Sequence, residues 1–216
     1  MALVPLLKPT KVSDLTADWC IRSTVNVEAG YVNNPNDAGG ETKCGVTYAT
    51  ANEHKAELVA KFGWSGRMVD ITPEMAMYLF KKYWWDKLAC DDLLKVHPFI
   101  AHRVFDFGIN AGRSAGALRL QRILNVMNRQ GKDYADIAVD GAIAPGGQTV
   151  RALQALVAKR GNVGVENVIQ LLVDSQGWYY VETAEKRVQN EEFMNGWATR
   201  VREANELYQS LLNSVS

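Results

Sequence analysis

Two carboxylates and a hydroxyl stand close together in the stretch VEAGYVNNPNDAGGETKCGVT, residues 27–47. Glu28 ends a run of helical periodicity, Asp37 follows nine positions later, and Thr42 comes five further on. A carboxyl group at the end of a partly buried helix is desolvated, which suits it to act as a general acid, whereas a carboxylate in a polar loop stays ionised. Two carboxyl groups in such opposed environments are typical of sites that cleave a glycosidic bond.

This chemistry assigns a role to each of the three residues. Glu28 would protonate the leaving oxygen, Asp37 would activate water or balance the positive charge on the sugar, and Thr42 would hold that water. The spacing alone also fits a solvated Glu and an Asp that forms a turn in NPNDAGG, and these ordinary roles are the more frequent ones. Cys44 could suggest a thiol nucleophile, but a packed cysteine is favoured because no His stands near it in sequence.

Further side chains could contact a substrate. Asp106 and Asn110 lie at i and i+4 in FDFGIN, on one helical face. They could bind substrate, but a buried hydrogen-bond pair that holds the helix to the loop is favoured. Tyr31 and Tyr48 are candidates for substrate contacts near the carboxylates. Other aromatic residues could stack on a sugar but are more often core residues; they are Tyr78, Trp84 and Trp85.

Composition narrows the possible functions. Lys plus Arg number 24 and Asp plus Glu number 24 among 216 residues, so bulk charge gives no reason to expect nucleic-acid binding. Three cysteines, far apart and odd in number, indicate reduced thiols. The three histidines do not pair with them at ligand spacing, and we therefore expect no metal and no cofactor.

The N-terminal stretch MALVPLLKPT lacks the basic start and long apolar core of a signal peptide. No stretch approaches the roughly 20 apolar residues of a membrane span. We therefore expect no membrane anchor and accumulation in the cytosol.

The elements that must position the site are predicted from periodicity and turn residues. A helix over residues 13–29, capped by Ser13 or Asp14, buries Ala17, Ile21 and Val25 and ends at Gly30. Residues 33–40 form a loop, and TKCGVT forms a strand in a small hairpin. The later predicted helices cover residues 50–62, 98–112, 114–130, 165–190 and 193–212. A further helix is predicted to begin at Thr72 and Pro73, and another to end near residue 160.

The opening stretch resembles the signature of glycoside hydrolase family 108, the phage-type N-acetylmuramidases. Further stretches resemble later family motifs in the same order, from residue 17 to residue 202. They are KKYWWDKLACDDL, VFDFGINAG, LQRILNV, VDGAIAPGGQTVRAL, which is similar to the start of the family's predicted peptidoglycan-binding half, and FMNGWATRV.

This resemblance implies a mainly α (α+β) fold. A lysozyme-like helical domain with a small β-hairpin would span residues 13–115, and a helical predicted peptidoglycan-binding region over residues 116–212 would pack on it. It implies a phage endolysin that hydrolyses the β-1,4 bond between N-acetylmuramic acid and N-acetylglucosamine, with Glu28 as the general acid and Asp37 and Thr42 in the site. Its partners would be peptidoglycan glycan strands and a separate holin. We expect a monomer that stays in the host cytoplasm until lysis and then acts on the periplasmic wall.

Two positions depart from the family pattern. Ala29 stands where the family has Gly, so we expect this position to remain helical, with Gly30 taking the turn. Cys44 stands where the family often has an aromatic residue.

The sequence leaves open whether the mechanism is retaining or inverting, and it leaves three rival functions open. These are a wall-binding module without turnover, a structural phage protein, and a lytic transglycosylase or chitinase.

Overall fold

The computed structural model describes residues 6–25, 30–34 and 40–212, which are mainly helical with one two-stranded antiparallel sheet. This confirms the predicted mainly α fold with a small hairpin. The strands are β1 (Thr42–Lys43) and β2 (Val46–Thr47). The helices are α1 (Ala17–Thr24), α2 (Tyr48–Glu53), α3 (Lys55–Phe62), α4 (Pro73–Phe80), α5 (Cys90–Val96), α6 (Pro98–Ala111), α7 (Arg113–Met127), α8 (Gln148–Lys186) and α9 (Met194–Leu212). Short 3₁₀ turns cover Val12–Asp14, Met68–Asp70 and Val188–Phe193, and a π-helix covers Lys81–Trp85.

The first helix is shorter than predicted. It begins at Ala17 because Thr16 is its N-cap and accepts a hydrogen bond from the Trp19 N–H at 3.2 Å. The predicted cap Asp14 instead accepts from the backbone of Thr10 and Lys11 and closes the preceding 3₁₀ turn. In the described residues the helix ends at Thr24, because the next residue has extended backbone angles. The expectation that Ala29 is helical lies outside the described residues.

The predicted small hairpin is confirmed, but TKCGVT, predicted as one strand, contains both strands and the turn between them. Cys44 and Gly45 connect its strands with φ angles of 52° and 76°, the left-handed pair that a tight two-residue turn requires. Glycine adopts this angle without strain, whereas the non-glycine Cys44 is held there with its side chain buried. The register pairs Thr42 with Thr47, and Thr42 also forms an isolated antiparallel bridge with Val32.

The later helices follow the predictions closely, with local breaks. Thr72 caps α4 by accepting from the Met75 N–H, as Thr-Pro-Glu predicted. The helix predicted over 50–62 begins earlier, at Tyr48, and is interrupted at His54 before it ends at left-handed Gly63. The long α8 is interrupted at Gly161, whose φ and ψ of 56° and −149° are not helical, so the predicted stop there is confirmed.

Helix α6 forms the centre of the core. Its apolar side chains are almost fully buried, because α5, α7 and α8 pack around it. Those with 0% exposure are Phe99, Ile100, Ala101, Val104 and Phe105. The amphipathic faces of the neighbouring helices supply the rest of this core. No helix within the described ranges is both long and apolar enough to cross a bilayer.

Helices α6 and α7 approach closely at Gly116. A Cβ placed on this residue would lie 2.3 Å from the Val104 carbonyl oxygen and 3.1 Å from the Gly108 nitrogen. Only a residue without a side chain fits such a contact between two helix backbones. The predicted division at residues 115 and 116 therefore falls inside α7, where the helix is packed against the first half of the chain.

We predict that Gly116→Ala lowers the free energy of unfolding by about 2–3 kcal/mol, because the added methyl group must push α6 and α7 apart. Urea titration followed by far-UV circular dichroism measures this. Gly196→Ala in α9 is the matched control, since a Cβ there meets nothing within 4 Å. The control should be neutral or more stable by up to about 1 kcal/mol. Equal stability of the two variants would contradict the proposed close contact.

Candidate functional site

The predicted acid Glu28 and its partner Asp37 lie outside the described residues, in the gaps at 26–29 and 35–39. The structure describes the chain on either side of them. Helix α1 leads toward Glu28, and Val32 comes four residues after it, while Thr42 comes five residues after Asp37. The geometry of the site is therefore given by these flanking residues.

Val32 and Thr42 join the two segments that carry the predicted carboxylates. The Val32 N–H donates to the Thr42 carbonyl at 2.9 Å, and the Thr42 N–H donates to the Val32 carbonyl at 2.8 Å. Since Thr42 also pairs with Thr47, Val32 extends the hairpin by one position on its open side. The backbone thus fixes Thr42 between the segment after Glu28 and the start of α2.

The Thr42 side chain is half-buried, and its hydroxyl donates to the Gly40 carbonyl at 3.3 Å. A hydroxyl that donates one hydrogen bond keeps lone pairs with which it can accept another, for example from a water molecule. The predicted contacts Tyr31 and Tyr48 flank the same hairpin and are 41% and 49% exposed. Their rings are thus accessible to a large substrate, and their role in binding stays a prediction.

The remaining aromatic candidates are structural. Trp85 is fully buried and packs edge-on against Phe105. Trp84 is half-buried and donates its indole N–H to the Gly108 carbonyl at 3.1 Å. The hydroxyl of Tyr78 donates to Glu57, within a cluster that also contains Lys82. In these three cases the core interpretation of the aromatic residues is the one that the contacts favour.

Asp106 and Asn110 form a pair, as their spacing predicted. The Asn110 amide donates to the Asp106 carbonyl at 2.7 Å and lies 3.4 Å from its carboxylate. The Asp106 carboxylate also accepts from Arg103 at 3.0 Å, from Gln176 at 3.2 Å and from Arg200 at 2.9 Å. Asp106 of this pair therefore holds α6 to α8 and α9. A contact of the pair with the 33–40 loop stays a prediction, since residues 35–39 lie outside the described residues.

Charge decides the protonation state of this cluster. Burial opposes ionisation of the Asp106 carboxyl, but the guanidinium groups of Arg103 and Arg200 outweigh burial and hold the pKa of Asp106 well below its usual range. Burial lowers the pKa of the adjacent His102 to about 4, with a further contribution from Arg103. At neutral pH the cluster thus contains a carboxylate, two cations and a neutral imidazole.

A cavity of about 530 Å³ lies above this cluster, between α1, α6 and α9. His102, Arg103 and Asp106 form its floor, and Trp19 and Ser23 of α1 form one wall. Residues of α9 form the opposite wall: Asn195, Gly196, Thr199, Arg200, Glu203, Ala204 and Leu207. Its volume falls within the range of small-molecule sites.

Sequence reasoning missed His102, Arg103, Gln176 and Arg200. A signal was present, because HPFIAHRVFDFG places Arg103 and Asp106 at i and i+3 in an otherwise apolar helix. A charged pair in such a run indicates burial with mutual compensation. The partners Gln176 and Arg200 are 70 and 94 residues from Asp106 along the chain, and no local pattern identifies them.

The cysteine interpretation agrees with the structure. Cys20, Cys44 and Cys90 are buried and free, and burial raises the pKa of the Cys44 thiol, so it is protonated at neutral pH. Within residues 6–25, 30–34 and 40–212, no group of three or more His, Cys, Asp or Glu side chains could hold a metal ion.

Comparison with known proteins matches each half of the chain to a different family model. Residues 21–112 match the family model described as glycosyl hydrolase 108, and residues 115–202 match the model described as a predicted peptidoglycan domain. The fold is similar to the solved structure of Brucella abortus SagA, with a TM-score of 0.61 and 24% identity over 90% of this chain and 92% of that one. Among curated proteins, none gives a significant match.

We predict that Asp106→Asn costs about 3–5 kcal/mol of unfolding free energy, because two guanidinium groups lose their counter-ion. Asp174→Asn is the control, since that carboxylate is exposed and accepts a bond from Gln170 one helical turn away. It should change stability by less than about 0.5 kcal/mol. Urea titration at pH 7 separates the two variants.

The Asp106 carboxylate should also make the folding stability depend on pH in the acid range. Because the folded-state pKa of Asp106 is depressed, its stabilisation is present above the unfolded-state pKa of about 4 and is lost as the pH falls below that value. The wild type should therefore lose more stability between pH 5 and pH 2 than Asp106→Asn does. Parallel acid dependences for the two proteins would contradict the assigned role of Asp106.

Proposed function

We propose a specific bond and a specific acid for this chain. Its residues 21–112 match the glycosyl hydrolase 108 model and its residues 115–202 match a predicted peptidoglycan domain, which together indicate a glycoside hydrolase that acts on peptidoglycan. The chain hydrolyses the β-1,4 bond between N-acetylmuramic acid and N-acetylglucosamine, with Glu28 as the general acid. Asp37 and Thr42 position or activate the water. The observation that carries this proposal is that the family match contains all three residues and that their flanking segments are joined at Val32 and Thr42.

The chemistry follows from the requirements of glycosidic cleavage. The leaving oxygen needs a proton, and the positive charge that develops on the sugar ring needs a nearby anion or an activated water molecule. Glu28 follows α1, whose end packs apolar residues such as Ile21 and Val25 into the core. Asp37 belongs to a polar loop between Val32 and Thr42. These opposed settings support an acid role for Glu28 and an ionised role for Asp37.

The C-terminal half contacts the same region. The side-chain amide of Asn34 donates to the Glu192 carboxylate at 3.1 Å, which links the segment after Glu28 to the 3₁₀ turn Val188–Phe193. This contact supports a role for the second half in shaping the groove that receives a glycan strand.

We also propose that the enzyme is a monomeric phage endolysin that stays in the host cytoplasm until a separate holin releases it to the wall. The resemblance to phage-type muramidases supports this proposal. Cell fractionation during expression tests it. Enzyme found outside the membrane of intact cells without a co-expressed lesion-forming protein would contradict it.

We predict that Glu28→Gln abolishes cell-wall lysis, with a loss of at least about 100-fold, because the amide cannot donate the proton. The far-UV spectrum and the urea midpoint should not change. Glu53→Gln is the control, because this side chain is 74% exposed at the end of α2, and it should retain full activity. A Glu28→Gln variant with near-normal turbidity loss would overturn the assignment.

The products distinguish hydrolysis from its closest rival. Mass spectrometry of digested sacculi should show reducing N-acetylmuramic acid ends. Anhydro-muramic ends would instead identify a lytic transglycosylase, and binding without any product would identify a wall-binding module.

We predict that Thr42→Val lowers kcat about tenfold with little change in KM, since the variant loses a hydrogen bond to the attacking water. The hairpin should remain, because Thr42 pairs through its backbone. Thr42→Ser retains the hydroxyl and should restore most of the rate. If Ser and Val variants have the same rate, the hydroxyl has no part in the reaction.

A further inference from the structure

The cavity between α1, α6 and α9 is built from both family-matched halves of the chain. Ser23 and the floor residues His102, Arg103 and Asp106 belong to the first match, while Thr199 and Arg200 belong to the second. Pockets at such junctions are frequent ligand sites. The cavity also adjoins the last turns of α1, the helix that leads toward Glu28.

The floor carries polar atoms that the protein leaves without a partner. His102 is 7% exposed and Arg103 is 3% exposed. The Nδ1 atom of His102 and the Nε atom of Arg103 are buried and make no hydrogen bond within the described part of the chain. Buried polar atoms are nearly always hydrogen-bonded, so these two nitrogens show that the polar residues under the cavity are held without full hydrogen bonding in the described part of the chain.

The charges in the cavity are arranged by depth. Arg103 and Arg200 share the Asp106 carboxylate, which leaves one net positive charge at the floor. The Arg200 side chain is 43% exposed and uses Nη1 for Asp106, so its guanidinium can bind a second anion. Glu203, one turn along α9, is exposed at the rim and lies close enough to favour the charged form of Arg200.

The cavity therefore suits a ligand that carries an anion and a cation on neighbouring atoms. Uncharged sugar rings would give Arg200 no anion besides Asp106 and would give Glu203 no cation besides Arg200. A phosphate group would satisfy Arg200 and would be repelled by Glu203. An amino-acid end, with a carboxylate and an ammonium on one carbon, matches both. Trp19 and Thr199 supply an aromatic edge and a hydroxyl beside them.

We propose that this cavity binds the peptide stem of peptidoglycan, with a stem carboxylate on Arg200 and the stem ammonium on Glu203. This inference rests on peptidoglycan being the substrate. It gives the C-terminal half a defined task, which is to complete a stem-binding site on the catalytic half. The enzyme would accordingly discriminate glycan strands that carry peptide stems from strands that lack them.

The test uses the full chain with Glu28→Gln, so that ligands are not cleaved. Isothermal titration compares a disaccharide tetrapeptide containing meso-diaminopimelate with the same disaccharide without a peptide. We expect the peptide-bearing ligand to bind at least about tenfold more tightly, as for a pair of charge-assisted contacts. The ¹⁵N resonances of His102 should shift on addition of that ligand alone.

Single substitutions then identify the contacts. Glu203→Gln should weaken binding of the peptide-bearing ligand about three- to tenfold, and so should Arg200→Lys, which retains the charge and loses the planar fork. Glu206→Gln is the matched control on α9, because its partner is Arg202 outside the cavity, and it should bind normally. Urea midpoints confirm that each variant is folded.

Equal affinity for the two ligands would overturn the proposal, and so would unchanged binding by Glu203→Gln together with Arg200→Lys. Failure of the proposed function would give a different experimental result. In that case the wild-type chain would leave sacculi uncleaved, whether or not it binds the peptide-bearing disaccharide.

Discussion

The shared carboxylate of Asp106 is the interaction on which the relation between the two halves depends. It accepts hydrogen bonds from its own helix α6, from Gln176 of α8 and from Arg200 of α9. A buried carboxylate with two cationic partners is costly to desolvate and is stable only when every partner is in place. Three helices must therefore meet in one arrangement, and the cavity above the cluster has a fixed shape as a result.

The backbone imposes the same arrangement from the other side of α6. The contact between Gly116 and Val104 brings α7 against α6 closely enough to exclude any side chain. The contact from Asn34 to Glu192 then ties the segment beside the hairpin to the C-terminal half. The polypeptide that matches a predicted peptidoglycan domain thus supports the catalytic half at three separate places. In the described structure it therefore acts as a structural support for that half.

Local signals predicted much of this architecture. Thr-Pro-Glu predicted the start of α4, and glycine residues predicted the ends of α3 and of the first part of α8, because each depends on a few neighbouring residues. The prediction of one strand over TKCGVT missed the turn at Cys44 and Gly45. The start of α1 was wrong by several residues, since Thr16 and Asp14 both cap and only three-dimensional packing decides between them. The Asp106 cluster escaped prediction except for its Asn110 neighbour, because its other partners come from distant helices. The positions of Glu28 and Asp37 themselves stay predictions.

The pair formed by Val32 and Thr42 has a consequence for how such enzymes diversify. It closes a connection of nine residues, and both ends of that connection are fixed by backbone hydrogen bonds that any side chain can make. Doubling the length of a flexible closed loop costs only about 0.6 kcal/mol. Apart from Asn34, which bonds to Glu192, the residues between these anchors can therefore be exchanged, and the connection lengthened, with little loss of folding free energy. The sequence around the predicted Asp37 can thus change to suit a different wall polymer while the helical body stays unchanged.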